Sequence, residues 1–153
     1  MAIKVLELHH HGIRIGTSEE AVQQARHFYT EVLGLQADAG RPNIRGIPGF
    51  WMYVGNDKQS AQIHLMGAEG MSPVARSPQE DPTRPHVALA VENIQEAKEE
   101  LDRQGVWYWQ IHGLVGMNSD QIFVQDPFGN VIELHQIGTC RCNKATLQEE
   151  ANA

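Results

Sequence analysis

Cysteine is nearly absent from this chain. Among 153 residues only Cys140 and Cys142 occur, too few to staple a scaffold and too close along the backbone for an unstrained disulfide. Also missing is any run of eighteen apolar residues, and Met1-Ala2-Ile3-Lys4-Val5-Leu6-Glu7 lacks a basic stretch followed by an apolar core. Neither a membrane-spanning helix nor a secretory signal is expected. The reading is a soluble, cytoplasmic protein in a reducing compartment. Positive charge is scarce as well: Lys and Arg total 12 against 19 Asp and Glu, a formal charge of −7. A broad basic face for nucleic acid is excluded on that ground, and neither nucleic acid nor membrane is an expected partner.

What is present is punctuated periodicity. Val5 to Ile15 alternates and is rich in branched residues, so it predicts a strand with Ile13 and Ile15 on one face and His10, Gly12 and Arg14 on the other. Thr17 with Glu20 forms a capping box for a helix whose stripe is Ala21, Ala25, Phe28, Val32 and Leu33, closed by Gly34. Phe50 to Val54 and Ala61 to Met66 flank the turn Gly55-Asn56-Asp57-Lys58 and predict a hairpin. A second sequence of elements starts at His86: a strand to Val91, a helix capped by Asn93 with Glu96 and closed by Gly105, then strands at Val106–Ile111, Gln121–Gln125 and Val131–Gln136. The turn Asp126-Pro127-Phe128-Gly129-Asn130 aims the last of them.

The two halves share one order: a strand opened by His, a capped helix closed by Gly, and a strand set whose last member carries His64 or Glu133. His10 to His86 spans 76 positions and His64 to Glu133 spans 69, so the offset repeats within a few loop residues. The reading is a single domain over residues 1–137, with module one at 4–66, a linker at 67–84, module two at 85–137 and a polar tail at 138–153.

Alternation then gathers four polar side chains. His10 lies opposite in facing to Ile13 and Ile15, His64 to Ile63 and Leu65, His86 to Val87 and Leu89, and Glu133 to Ile132 and Leu134. A lone strand histidine is ordinarily a hydrogen-bonded structural residue. Four donors in matched register, turned away from the helix-packed face, would be costly unless that face holds water or a ligand. One divalent transition metal (Fe, Mn, Co, Ni or Zn) satisfies them together, because three imidazoles and a carboxylate are too nitrogen-rich for Ca or Mg. His64 has a second reading, as a base standing beside the ligands. An ion so held would polarise a carbonyl or stabilise an enediolate.

Leu8-His9-His10-His11-Gly12-Ile13-Arg14-Ile15, Phe28-Tyr29-Thr30-Glu31-Val32-Leu33-Gly34-Leu35 and Phe123 to Leu134 with its Asp126-Pro127-Phe128-Gly129-Asn130 turn together resemble the vicinal oxygen chelate superfamily. That group includes glyoxalase I, extradiol dioxygenases, methylmalonyl-CoA epimerase, fosfomycin-resistance enzymes and bleomycin-binding proteins. The resemblance covers roughly residues 5–137. It implies an α+β glyoxalase-like fold, two βαβββ modules forming an open, curved mixed sheet around a metal site, often in a homodimer. It also implies His10, His86 and Glu133 as ligands. His64 stands where glyoxalase I relatives carry a proton-shuttling glutamate and epimerase relatives a glutamine.

The expected function is a metal-dependent lyase or isomerase, glyoxalase-like, acting on a small substrate with adjacent oxygens through a metal-stabilised enediolate, with His64 or Glu133 as base. An extradiol-type ring-cleaving dioxygenase using Fe(II) or Mn(II) is the alternative. A non-catalytic protein binding an antibiotic or other small molecule is the third reading.

Other residues carry blander expectations. His9 and His11 fall on the face opposite His10 and read as structural, while His112 reads as loop surface. His135 shares the facing of Glu133, either as sheet packing or as a neighbour of the ligands. Trp51 with Tyr53, and Trp107 with Trp109, form same-face pairs for core packing or an apolar pocket. Arg14, Arg45 and Arg84 read as surface charges before substrate clamps. Cys140-Arg141-Cys142 is a weak soft-metal motif.

Overall fold

The computed structural model of the chain describes residues 1–55 and 61–139. The turn expected at Asn56-Asp57-Lys58 and the tail with Cys140 and Cys142 lie outside these residues. The elements follow the expected duplication: β1 (Val5–Ile15), α1 (Glu19–His27), β2 (Gln36–Ala37), β3 (Gly49–Tyr53), β4 (Gln62–Gly67), then β5 (His86–Val91), α2 (Ile94–Gln104), β6 (Tyr108–His112), β7 (Asp120–Gln125) and β8 (Val131–Gln136). The architecture is α+β.

The chain divides into two compact units, one of His10–Pro85 and the other of Met1–His9 with the chain from His86 onward. The first unit has strand order β2-β3-β4-β1, and the second β6-β7-β8-β5. In each, the module's opening strand runs parallel to its last strand, and the remaining neighbours are antiparallel. A parallel pair needs a long crossover, which the helix and the intervening strands of each module provide.

In the second unit α2 packs on the sheet through Val91, Ala97, Leu101, Ile122 and Leu134, with Leu89, Val124 and Ile132 beside them. Asn93 caps it by accepting from the amides of Gln95 and Glu96, and Gly105 at φ 66° supplies the left-handed residue that ends it. Both follow the sequence reading. In the first unit the helix start shifts by one residue. Ser18, not Thr17, accepts from the Ala21 amide, and α1 stops at His27, where a π-helical turn at Phe28–Val32 takes over. That wider turn displaces the expected stripe: Phe28, Val32 and Leu33 are about half exposed, and only Val22 of α1 is buried.

The segment between β4 and β5 contains no helix or strand, as expected, yet it is fastened. The buried Asp81 carboxylate accepts from the Ser72 amide and hydroxyl and from the Thr83 amide and hydroxyl, at 2.7 to 2.9 Å. Arg14 Nη2 donates to Asp81 Oδ2 at 3.2 Å and to Thr83 Oγ1 at 2.8 Å. Arg14 is therefore a tie between β1 and this segment, neither a solvated charge nor a clamp. Burial opposes the charge on Asp81, but the hydrogen bonds from Ser72 and Thr83 outweigh it and hold the carboxyl below its ordinary pKa. Gly49 is forced by a close approach: at φ 154°, a Cβ there would lie 1.9 Å from the Leu65 carbonyl oxygen.

Candidate metal centre

The duplication extends to register. In the first unit Gly12 of β1 pairs with His64 of β4, and His10 stands two residues before Gly12. In the second, Ala88 of β5 pairs with Glu133 of β8, and His86 stands two residues before Ala88. Each module thus places an opening-strand histidine and a last-strand donor at the same relative position. Strand parity puts both members of each pair on one face. An aromatic residue stands opposite each last-strand donor as well, Trp51 across from His64 and Phe123 across from Glu133.

In the second unit His86 Nε2 lies 2.8 Å from Glu133 Oε2, and both side chains are about 98–99% buried. Glu133 Oε1 accepts from Gln121 Nε2 at 2.8 Å, and His135 Nε2 also contacts that oxygen. The two carboxylate oxygens therefore address different histidines. Phe123 meets the His86 ring edge-on at 5.8 Å and is itself stacked on Trp109 at 4.1 Å, with Val131 completing the apolar wall. His135 stacks on His9 with centroids 4.8 Å apart and planes at 22°.

In the first unit the His10 and His64 rings stack at 3.7 Å and 14°, and Trp51 covers His64 at 4.3 Å and 10°. His64 Nε2 is 2.9 Å from Gln62 Oε1, while Gln62 Nε2 donates to Asp38 Oδ2 at 2.9 Å. A carboxylate only accepts, so the Gln62 amide must present its NH2 to Asp38 and its oxygen to His64. The His64 Nε2 then donates to that oxygen, and a neutral ring so held carries its lone pair on Nδ1. Asp38 is held in turn by the Gly40 amide at 2.8 Å.

The structure thus brings together His86 with Glu133 in one unit and His10 with His64 in the other. His135 joins Glu133, the sharper of its two readings. His9 departs from its expected place: it is buried against His135, while His11 is exposed. Alternation describes a strand with one continuous set of neighbours, but pairing of β1 with β4 begins only at His10, and His9 belongs to the other unit. Trp51 and Tyr53 are both buried, whereas Trp107 lies outside β6, more than half exposed, and does not pair with Trp109. Gln62, Asp38 and Gln121 were missed. Their only sequence signal is parity with a donor, at i−2 of His64 for Gln62, and neutral amides at such places are too common to stand out.

The donor chemistry fits a divalent transition metal. Imidazole nitrogen and carboxylate oxygen at hydrogen-bonding separation, buried and oriented by amides from outside, are the set such ions take up. A buried His/Glu group able to bind a metal is present in the chain.

Residues 8–134 match the family model described as the Glyoxalase/Bleomycin resistance protein/Dioxygenase superfamily. The chain belongs to that superfamily. Among solved structures, methylmalonyl-CoA epimerase from Mycobacterium tuberculosis is similar at 24% identity and TM-score 0.65, over 100% of this chain and 97% of that one. A hypothetical protein from Bacillus halodurans C-125 is similar at 22% identity and TM-score 0.63, over 87% and 95% of the two chains. The 2,3-dioxygenase LapB from Pseudomonas sp. KL28 is similar at 18% and TM-score 0.62, over 94% of this chain but 45% of its own. At these identities the likeness is one of fold, the glyoxalase-like fold. No curated protein matches the chain. Among the described residues no helix is long and apolar enough to cross a membrane.

Proposed function

We propose that this superfamily member is a metal-dependent lyase or isomerase in which His10, His64, His86 and Glu133 share one divalent ion. The observation that carries the reading is the repeated register: each module offers one opening-strand histidine and one last-strand donor at equivalent positions, buried and oriented. An ion held there would act as a Lewis acid on adjacent oxygens of a small substrate. The chain's own residues do the rest. Gln121 aims Glu133, and Gln62 holds His64 by Nε2, so that Nδ1 would be its ligand or proton-accepting atom. Glu133 or His64 is the base that moves a proton at the carbon beside the substrate's oxygens.

Loading the full chain separately with Fe, Mn, Co, Ni and Zn and assaying hemithioacetals and 2-oxo compounds tests this. Turnover that disappears in His86→Ala supports it; no turnover with any metal removes it.

A ring-cleaving dioxygenase is the second reading, favoured by two histidines with one carboxylate among the donors and by the fold likeness to LapB. Oxygen consumption on catechols by anaerobically iron-loaded protein distinguishes the two. The active form in this reading is a homodimer, as the superfamily resemblance implies, so light scattering would give twice the mass of the chain.

A further inference from the structure

We propose that Arg41 is an anion site whose guanidinium takes a carboxylate, one carried by the same small substrate whose adjacent oxygens the metal would hold. Binding of a carboxylate at Arg41 needs no metal; its belonging to that substrate rests on the one-ion reading above.

Arg41 lies in the loop between β2 and β3, wholly within the first unit. Its Nη1 donates to the Pro42 carbonyl at 3.2 Å and its Nη2 to the Ile47 carbonyl at 2.7 Å, while the buried Nε has no partner. A guanidinium carries five N–H groups, so more than half of them are unspent. Among the described residues no carboxylate pairs with this cation. The acid nearest along the chain, Asp38, gives its oxygens to the Gly40 amide and to Gln62 instead. Burial lowers the Arg41 pKa with no neighbouring charge opposing it, yet arginine stays protonated.

Tying two carbonyls requires two donors and no charge, and a neutral amide would supply them. A cation withdrawn from water without a counter-charge is costly, and a bound carboxylate offsets that cost. The unspent donors belong to the planar fork that a carboxylate accepts through both oxygens. One uncompensated positive charge is matched by one carboxylate, whereas a phosphate monoester brings about two negative charges. The loop also starts at the supports of His64. The Asp38 amide donates to the Trp51 carbonyl at 2.7 Å and its carboxylate holds Gln62, while Trp51 covers the His64 ring and Gln62 holds its Nε2. The Arg41 amide donates in turn to the Asp38 carbonyl at 3.3 Å. A carboxylate on Arg41 is therefore one loop turn along the chain from the residue that joins both supports.

The test follows the Arg41 Nε–H signal by NMR in the metal-free full chain, assigned through its bonds to the Arg41 backbone. Sodium acetate is expected to move it saturably, and sodium chloride at equal ionic strength to leave it in place. Followed at the Ile47 amide, Arg41→Lys should bind acetate about 10-fold more weakly, the loss of one charge-assisted hydrogen bond. No response to acetate, or the same response to chloride, overturns the anion site and leaves the metal centre standing. A response to inorganic phosphate without one to acetate overturns the carboxylate assignment. Should Arg41→Lys fail to fold, the parent titration still decides in either direction. With the metal-loaded chain, Arg41→Lys should raise KM for a 2-oxo substrate bearing a further carboxylate about 10-fold more than KM for its methyl ester. Equal rises overturn the link to the substrate. Absence of turnover with any metal overturns that link together with the one-ion reading, and leaves the acetate result standing.

Discussion

At the scale of single residues, the side chains that hold the donors matter as much as the donors. Gln62 and Gln121 are neutral amides, yet each sets the direction of a buried ionisable group. Replacing Gln62 by Leu removes the acceptor that keeps the proton on His64 Nε2, and the ring can then change tautomer. Metal affinity should fall about 10–100-fold, the usual loss when a ligand's supporting hydrogen bond is deleted, with the fold intact by circular dichroism. Unchanged affinity in a metal titration would show that the relay from Asp38 does not orient a ligand. The His9 result belongs here too. Its position follows from a change of neighbours along one strand, which no count of odd and even residues contains.

Elements have their own weak points. The segment between β4 and β5 is held to β1 through Asp81, whose carboxyl lies below its ordinary pKa because Ser72 and Thr83 favour the charged form against burial. Its contribution to stability is therefore fully present above the unfolded aspartate pKa of about 4 and is lost as pH falls through the lower folded value. Asp81→Asn should cost about 1–3 kcal/mol at neutral pH and flatten the acid limb of a urea-denaturation profile measured against pH. An acid limb identical to that of the parent would remove Asp81 from the account. In α2 the Asn93 cap predicts a loss of about 1 kcal/mol for Asn93→Ala in equilibrium unfolding. At the β3 entrance Gly49→Ala meets the Leu65 carbonyl, and the variant should unfold at markedly lower denaturant than the Asn93 one. Equal midpoints would contradict the close approach.

At the scale of the whole molecule, metal and stability are linked. An ion that binds only the folded chain stabilises it by about 2.7 kcal/mol at a hundred times its dissociation constant, or roughly 5–10 °C in melting temperature for a chain this long. Calorimetry with saturating Ni(II), then with excess chelator, should show that difference, and His86→Ala should abolish it. The architecture was legible in the sequence because punctuation and parity are local. Gly105 and Asn93 mark a helix, Ile13, Leu65, Leu89 and Leu134 mark the faces turned away from the donors, and the repeated spacing marks a duplication. Local patterning also selected His10, His64, His86 and Glu133, since a strand exposes alternate residues to one side whatever its surroundings. Partnership was left to the tertiary structure. The pairing of β8 with β5 set His86 against one oxygen of Glu133, and only the packed rotamers decided that Gln62 grips its strand neighbour His64 and that the other Glu133 oxygen turns to His135. Those contacts depend on rotamers and on where a strand changes neighbours, and such distances are set by packing across the sheet rather than by order along the chain.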